Sequence, residues 1–285
     1  MQFSQHLLGP VLYVVCAVMV LAAAALYWAA ALGSALTVPR AALRAVVQLA
    51  VVAAVLATAL RTLWTSLLVL AVMFVAAAIT AARRAQAERS WLLAAGLAAG
   101  MAAVLPLLLG SGLVPMKGVA LVPVTGIILG GTMTATAVAA RRALDTLTVR
   151  AGEVEAALGL GFRDRDARME MIGTTAADAL LPNLDQTRTV GVVTLPGAFV
   201  GVLLSTGSAA QAGAVQILIL LAILLSQTCA VAVTLELIAR GKISRTRDAH
   251  PNRRWRPPRG SFATSNCRRP PSRCCMSARP AKCLP

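Results

Sequence analysis

Apolar residues fill most of this chain in long runs, and polar residues are gathered in a few short stretches between them. A helix needs about 20 apolar residues to cross the roughly 30 Å hydrocarbon core of a bilayer. The pattern predicts seven such helices, in the windows 10–32, 41–60, 63–82, 91–110, 119–140, 189–207 and 212–238. We therefore expect an all-α, polytopic integral membrane protein. Its first span is expected to be retained, because residues 1–9 contain no Lys or Arg to begin a cleavable signal.

The longest polar stretch, residues 141–188, carries too many charges to lie in lipid. Residues spaced three or four apart form an apolar stripe on each side of a glycine break at Gly159 and Gly161, which predicts two helices. The first stripe comprises Leu144, Leu147, Ala151, Val154 and Leu158. The second stripe follows Asp164 and Asp166 and comprises Met169, Ile172, Ala176 and Leu180. A helical loop that protrudes into water is expected here.

Positive charges alternate between the two ends of the predicted spans. Lys and Arg concentrate in loops that stay in the cytoplasm. The Lys/Arg-rich connections are those around 40–44, 83–89, 141–188 and 240–247, whereas the opposite side carries only Arg61 and Lys117. This pattern predicts an extracytoplasmic amino terminus and a cytoplasmic carboxyl terminus.

Composition excludes a soluble protein, since 58% of residues are apolar, 13% are charged and the mean hydropathy is +0.75. The net charge of +16 is not a nucleic-acid signature, because residues 244–285 alone contribute +10. This segment is rich in Arg and Pro and contains four of the six cysteines. We expect a transmembrane permease domain over 1–243 and a disordered basic tail over 244–285.

Residues suited to catalysis or ion coupling are scarce. The only histidines are His6 and His250, and no phosphate-binding Gly-Lys-Ser/Thr motif occurs, so the chain is not expected to be an enzyme. Any ATP and Mg²⁺ must bind a partner subunit. The apolar windows hold almost no titratable group except Glu236, for which an ion pair with Arg240 one turn later is the favoured interpretation. A secondary transporter or a channel remains an alternative.

The polar stretch resembles the cytoplasmic coupling loop of ATP-binding-cassette (ABC) permeases, in which a Glu-Ala-Ala triplet is followed by a glycine and then by Leu-Pro. The resemblance implies that this loop contacts an ABC ATP-binding subunit. The implied coupling residues are Glu155, Ala156, Ala157, Gly161, Pro182 and Asp185.

Over residues 122–242 the chain is similar to the permease subunit of Fet-type iron-export ABC transporters, whose plant relatives are the aluminium-sensitivity half-transporters. The similarity is carried by residues 123–130, by the long run 182–197 and by Gln216. It implies an ABC permease in the inner (plasma) membrane that exports a metal, with iron as the leading candidate. It also implies two copies of the permease, each working with an ATP-binding subunit.

The sequence departs from this family at two places. The family usually has Asn where this chain has Gly131, and often has methionines where it has Ala198 and Phe199. Since thioethers are soft metal ligands, an ABC permease for a non-metal substrate remains the alternative. Helix-breaking and small residues favour the fifth and sixth windows as the translocation pathway. The candidates there are Pro123, Gly126, Gly130, Met133, Pro196 and Gly197, with Gln216 of the last window added from the family resemblance. Close packing of helices at these small residues is the alternative interpretation.

Overall fold

Ten α-helices make up nearly all of the structure, a computed structural model that describes residues 10–31, 33–34, 36–59, 63–112 and 118–245. The helices are α1 Pro10–Ala29, α2 Thr37–Ala59, α3 Leu63–Ala85, α4 Leu93–Gly110, α5 Gly118–Val149, α6 Ala151–Gly159, α7 Asp164–Ala177, α8 Leu181–Thr189, α9 Gly197–Thr206 and α10 Ala209–Ala239. Short 3₁₀ turns occupy Ser90–Leu92 and Asp178–Leu180. Two short strands, β1 Ala87–Glu88 and β2 Ser244–Arg245, form a ribbon.

Six of these helices, α1 to α5 and α10, are long and apolar enough to cross a membrane. The predicted all-α, polytopic membrane fold is therefore confirmed. Arg61 and Lys117, on which part of the predicted orientation rests, lie outside the described residues, as does the predicted disordered tail beyond Arg245.

The centre of the bundle is α10, which packs against α4 and α5. Small residues bring α4 close to α10, because a Cβ atom on Gly96 would lie 2.5 Å from the hydroxyl oxygen of Thr234 and 3.0 Å from the carbonyl oxygen of Ala230. A side chain at this position would force the two helices apart, so glycine sets their separation.

The first two helices lie at the periphery. They pack against each other, and no residue of α2 between Thr37 and Ala54 is buried within the protein. Trp28 and Leu49 are 69% and 71% exposed. In a membrane, apolar side chains of this kind face hydrocarbon rather than water.

The predicted span 189–207 is not one continuous helix. Helix α8 ends at Thr189, residues 190–196 form a compact turn, and α9 contains only ten residues, about 15 Å of helix. Gly191 has a φ of +84°, and Pro196 lacks the amide hydrogen that a continuous helix would need. The window correctly located an apolar segment, but its backbone is interrupted.

Of the two helices predicted from the apolar stripes of the polar loop, the structure contains one as predicted. The second is confirmed, since Ile172 and Ala176 of α7 are buried in the core. The first does not form one helix, because α5 continues to Val149, the chain breaks at Arg150, and α6 then begins. Leu144 is consequently buried at the end of α5, whereas α6 buries no residue.

The ribbon joins the end of α3 to the end of α10. Ala87 pairs with Arg245, and Glu88 pairs with Ser244, in an antiparallel register. Ile243, just before β2, is 1% exposed and belongs to the core cluster. Residues 243–245 are thus held against the bundle, and the domain boundary after Ile243 stays a prediction.

Candidate functional site

The polar loop projects from one end of the bundle as a helix, a glycine turn and a second helix. Gly161 has a φ of +91°, a conformation that glycine adopts without strain, and it reverses the chain between α6 and α7. Three apolar side chains at this turn, Leu158, Leu160 and Phe162, are exposed; Leu160 is 80% exposed. We call these three residues the loop tip. Apolar side chains grouped on an otherwise polar loop are typical of a binding surface.

Helix α7 anchors this loop to the bundle through an apolar face. Ala167, Ile172 and Ala176 are all fully buried. Ile172 and Ala176 share one core cluster with residues of α5 and α10, among them Ala143 and Ile238. The loop is thus continuous with the two longest membrane helices.

Ion pairs reinforce the anchor. Arg165 of α7 donates two hydrogen bonds to the carboxylate of Glu236 on α10, at 2.9 Å and 2.8 Å. These bonds raise the pKa of the Arg165 guanidinium above its ordinary value, so it stays charged. The predicted pair between Glu236 and Arg240 is confirmed, at 2.7 Å.

Two further ion pairs hold the end of α5. Arg142 contacts Asp178 at 2.9 Å, which joins α5 to the 3₁₀ turn after α7. Asp145 contacts Arg245 of β2. Together with the Glu236 contacts, these pairs fix α5, α7 and α10 relative to one another.

After this anchor the chain returns along α10 in two short helices. Asn183 of α8 donates a 2.8 Å hydrogen bond to the side-chain oxygen of Gln227. Farther on, the backbone N–H of Phe199 in α9 donates to the side-chain oxygen of Gln216 at 3.2 Å. Residues 183–199 therefore run antiparallel to α10, and a two-residue turn at Gly207 and Ser208 leads into its first residue.

Buried polar side chains lie where α5 meets α10. The hydroxyl groups of Thr132 and Ser226 are 2.8 Å apart and both residues are fully buried. The side-chain nitrogen of Gln227 is buried without a hydrogen-bond partner among the described residues, and a Cβ atom on Gly131 would lie 2.9 Å from it. This contact between α5, α8 and α10 is tight and polar.

A cavity of about 680 Å³ lies between α2, α3 and α5. Its lining is apolar toward Met73 and Met133 and basic toward the end of α3. The polar side chains that line it are Arg44, Gln48, Thr80, Arg83 and Arg84. On the α5 wall, Gly130 leaves space, whereas Gly126 lies against the side chain of Met73.

Comparison with known proteins places the chain in a family. A family profile described as "Uncharacterised protein family (UPF0014)" matches residues 11–242. The chain belongs to the UPF0014 family. No solved structure matches it.

Relatives of this UPF0014 chain occur in plants and cyanobacteria. It is 31% identical over 146 residues to "Protein ALUMINUM SENSITIVE 3" of Arabidopsis thaliana, covering 50% of this chain and 54% of the relative. It is 30% identical over 129 residues to "UPF0014 membrane protein STAR2" of Oryza sativa subsp. japonica, covering 45% of each. Over 115 residues it is 36% identical to "UPF0014 membrane protein slr1647" of Synechocystis, covering 40% of this chain and 44% of the relative.

The matches thus span about half the length of these curated relatives. The similarity to the Arabidopsis protein confirms the resemblance to the plant aluminium-sensitivity proteins that the sequence indicated.

The predicted coupling residues of this UPF0014 protein occupy two places. Glu155, Ala156 and Ala157 lie in α6, and Gly161 forms the turn beside the loop tip. Pro182 and Asp185 lie instead in α8, beside α10. The structure therefore groups the first four in the projecting loop and separates the last two from them.

The predicted pathway residues are also divided. Gly126, Gly130 and Met133 line the cavity, whereas Pro123, nearer the start of α5, is not among its lining residues. A second group lies where α9 meets α10. It comprises Pro196, Gly197 and Gln216.

Sequence reasoning missed the residues that join distant segments. Arg165 and Glu236 are 71 positions apart, and Asn183 and Gln227 are 44 apart. Gln227 and Glu236 each offered a signal, since an amide or a carboxylate inside an apolar helix requires a partner. The spacing supplied Arg240 for Glu236, but it indicated neither Arg165 nor Asn183.

Proposed function

We propose that this protein is the membrane subunit of an ABC transporter and that a separate ATP-binding subunit drives it. The observation that carries the proposal is the projecting helix-glycine-helix loop with its exposed apolar tip of Leu158, Leu160 and Phe162. It coincides with the segment that resembles a coupling loop. ATP and Mg²⁺ bind the partner in this proposal, and the present chain is not an enzyme.

The anchor of the loop supports a mechanical role. A force applied at the tip reaches α7, which is attached by Arg165 to Glu236 of α10 and by Ile172 to the core. The carboxyl-terminal ends of α5 and α10, which pack against α7, move with it, because close-packed protein interiors transmit displacement. Helix α5 carries the wall of the cavity, so nucleotide-driven motion changes the cavity's shape.

Several further features belong to the same proposal. The polar loop lies on the cytoplasmic side of the plasma membrane, as the Lys/Arg pattern indicates. Two copies of the permease work with two ATP-binding subunits. The exposed apolar faces of α1 and α2 are available for lipid or for the second copy.

The proposed substrate is a metal ion, with iron as the leading candidate. The support is the resemblance over residues 182–197 together with two thioethers, Met73 and Met133, in the cavity wall. The described residues contain no group of three or more His, Cys, Asp or Glu side chains that could hold a metal ion. The proposal therefore rests on the resemblance and the thioethers.

A non-metal substrate is the second candidate. Arg44, Arg83 and Arg84 line the same cavity, and their positive charges disfavour a bare cation there. Elemental analysis separates the two candidates: cells lacking this chain should accumulate iron under iron load. Unchanged iron content in that deletion contradicts iron export while leaving the ABC assignment in place.

The coupling role is tested by the partner's ATP hydrolysis. Replacing Leu160 and Phe162 with Asp should abolish co-purification with the ATP-binding subunit and the stimulation of its activity, because charges replace the apolar contact. The matched control places Asp at the exposed Thr174 of α7, outside the loop tip. Full stimulation in the Leu160→Asp/Phe162→Asp variant would remove the loop tip from the mechanism. Absence of any stimulation by the parent protein would instead favour a secondary transporter or channel.

A further inference from the structure

The cavity between α2, α3 and α5 has a basic end and an apolar end. Arg83 and Arg84 lie in the last turn of α3, and Met73 lies ten residues earlier on the same helix, about 15 Å away along its axis. Met73 also marks the deep end, because its terminal carbon would be 2.9 Å from a Cβ atom on Gly126 of α5. The cavity thus changes from cationic to hydrocarbon over roughly half a bilayer.

The charges at the basic end are unpaired. Within the part of the chain that the structure describes, Arg44, Arg83 and Arg84 make no ion pair, whereas Arg142, Arg165, Arg240 and Arg245 all do. No Asp or Glu is among the described residues that line the cavity. Three guanidinium groups around one space, with Gln48 and Thr80 beside them, present many donors and no negative charge.

The cavity is accessible from the periphery of the bundle. One wall is α2, whose residues Thr37 to Ala54 are not buried at all and which packs only lightly on α3. Arg83 and Arg84 stand at the end of a membrane-spanning helix, the depth at which lipid headgroups lie. Met73 and Gly126 stand at acyl-chain depth by the same measure.

From this arrangement we propose that the cavity binds an anionic phospholipid. The shared chemistry is a phosphate anion: Arg44, Arg83 and Arg84 donate charge-assisted hydrogen bonds to the headgroup phosphate. An acyl chain occupies the apolar end along Ala77, Met73 and Gly126. The site does not depend on the proposed coupling to an ATPase, but it shares the cavity with the proposed substrate, so a bound lipid and a metal ion at Met73 exclude each other.

Binding can be measured on the purified full-length protein without any transport assay. The probes are phosphatidylglycerol, zwitterionic phosphatidylcholine and inorganic phosphate, titrated into detergent-solubilised protein while the thermal midpoint and the retained lipid, by native mass spectrometry, are followed. We expect phosphatidylglycerol alone to raise the midpoint and to be retained. An equal effect of phosphatidylcholine indicates an unspecific lipid shell, and an equal effect of inorganic phosphate indicates a soluble anion; either result overturns the proposal.

Substitutions then locate the site. Arg44→Gln/Arg83→Gln/Arg84→Gln should weaken phosphatidylglycerol binding about a hundredfold, because each of the three cations contributes roughly a fivefold gain. The control Arg40→Gln/Arg163→Gln/Arg188→Gln removes the same charge outside the cavity lining and should bind like the parent protein. Equal loss in both variants overturns the proposal.

A second variant leaves the three arginines unchanged, so it tests the cavity even if the arginine variant fails to fold. Gly130→Leu places a side chain in the cavity, where a Cβ atom at this position meets no other atom within 4 Å. It should reduce phosphatidylglycerol binding at least about tenfold, since the acyl chain loses its space. Unaltered affinity in Gly130→Leu contradicts occupation of the cavity, whatever the arginine variant does.

Discussion

At the scale of single residues, Gln227 is a fully buried amide in the middle of α10. Its oxygen accepts a hydrogen bond from Asn183, and its nitrogen has no hydrogen-bond partner among the residues that the structure describes. A buried polar group without a partner costs about 1–3 kcal/mol. This amide lies where α8 meets α10. Its hydrogen bond with Asn183 therefore helps to position α8 against α10.

A double-mutant cycle measures that contact. Asn183→Leu leaves both polar atoms of the buried amide unpaired and should lower the free energy of unfolding by about 1–3 kcal/mol. Gln227→Leu removes the amide itself and should cost less. The double variant should be more stable than the sum of the two losses allows, by about 1 kcal/mol.

Thermal unfolding of the purified protein in detergent provides the comparison. Gln211→Leu, at an exposed position of the same helix, is the matched control and should change little. Strictly additive losses at Asn183 and Gln227 would show that the hydrogen bond is not coupled to stability.

Residue chemistry was predictable where partners lie close in sequence. The pair Glu236 and Arg240 follows from their spacing of four, which puts both on one side of a helix. Arg165, the stronger bidentate partner, comes from a helix 71 positions earlier. Its role depends on how α7 is seated against α10, which no local pattern encodes.

At the scale of elements, glycine governs how closely α4 approaches α10. A Cβ atom on Gly100 would meet the backbone oxygen of Ser226 and would lie 3.1 Å from the Cβ atom of Ala230. Backbone cannot turn away as a long side chain can. A methyl group here must separate two packed helices.

Two alanine substitutions should therefore have opposite signs. Gly100→Ala should destabilise the protein by about 1–3 kcal/mol through overpacking. Gly213→Ala lies in a part of α10 where an added Cβ atom meets no atom of the described residues within 4 Å. It should be neutral or stabilising by up to about 1 kcal/mol, because alanine favours helix. Thermal midpoints in one detergent test the pair, and a loss of stability in both would refute the packing explanation.

Hydropathy predicted most of the helices. The two errors, in the helix predicted over 189–207 and at the end of α5, have a physical cause. A hydropathy window measures whether a segment prefers lipid, not whether its backbone is continuous. Residues 189–207 satisfied the first condition while Gly191 and Pro196 broke the second. Likewise the helix after Ala140 continued to Val149, because Leu144 is buried against the loop rather than exposed in it.

At the scale of the whole molecule, the chain runs from end to end seven times if α8, its turn and α9 are counted together. Asn183 and Phe199 contact α10 in antiparallel order, so Gly207 lies at the end opposite the polar loop. Six continuous helices and one broken crossing are compatible with termini on opposite sides of the membrane.

Reporter fusions test this arrangement. Alkaline phosphatase, which is active only outside the cytoplasm, should be active when fused after Gly207 and inactive when fused after Arg247. The physical reason is the positive-inside rule applied to the loop that contains Arg141 and Arg142. The reverse pattern would invert the orientation, and activity at both sites would show that residues 181–206 do not cross.

Two truncations test the ribbon. Removing residues 248–285 should leave the thermal midpoint nearly unchanged, whereas removing 244–285 should lower it, because Asp145 then loses Arg245 and β1 loses its partner strand. The expected difference is about 1–2 kcal/mol of unfolding free energy. Equal midpoints for both truncations would mean that the ribbon contributes no stability.

The cavity belongs to this scale and was the least predictable part of the molecule. Gly126, Gly130 and Met133 were expected to line a pathway, and they share one cavity. In the sequence, Arg44 and Arg83 contributed only to the Lys/Arg pattern that predicts membrane orientation. Their common orientation toward the same space depends on the packing of three helices.

The ribbon also imposes an order on biosynthesis. Its two strands are separated by every helix from α4 to α10, and chains are made from the amino end. Glu88 therefore has no partner strand while the later spans are inserted. Ser244 can pair with it only after α10 is in place. Pairing of β1 with β2 is therefore a late step of assembly, and a chain with one of these helices misplaced leaves β1 with an unpaired edge.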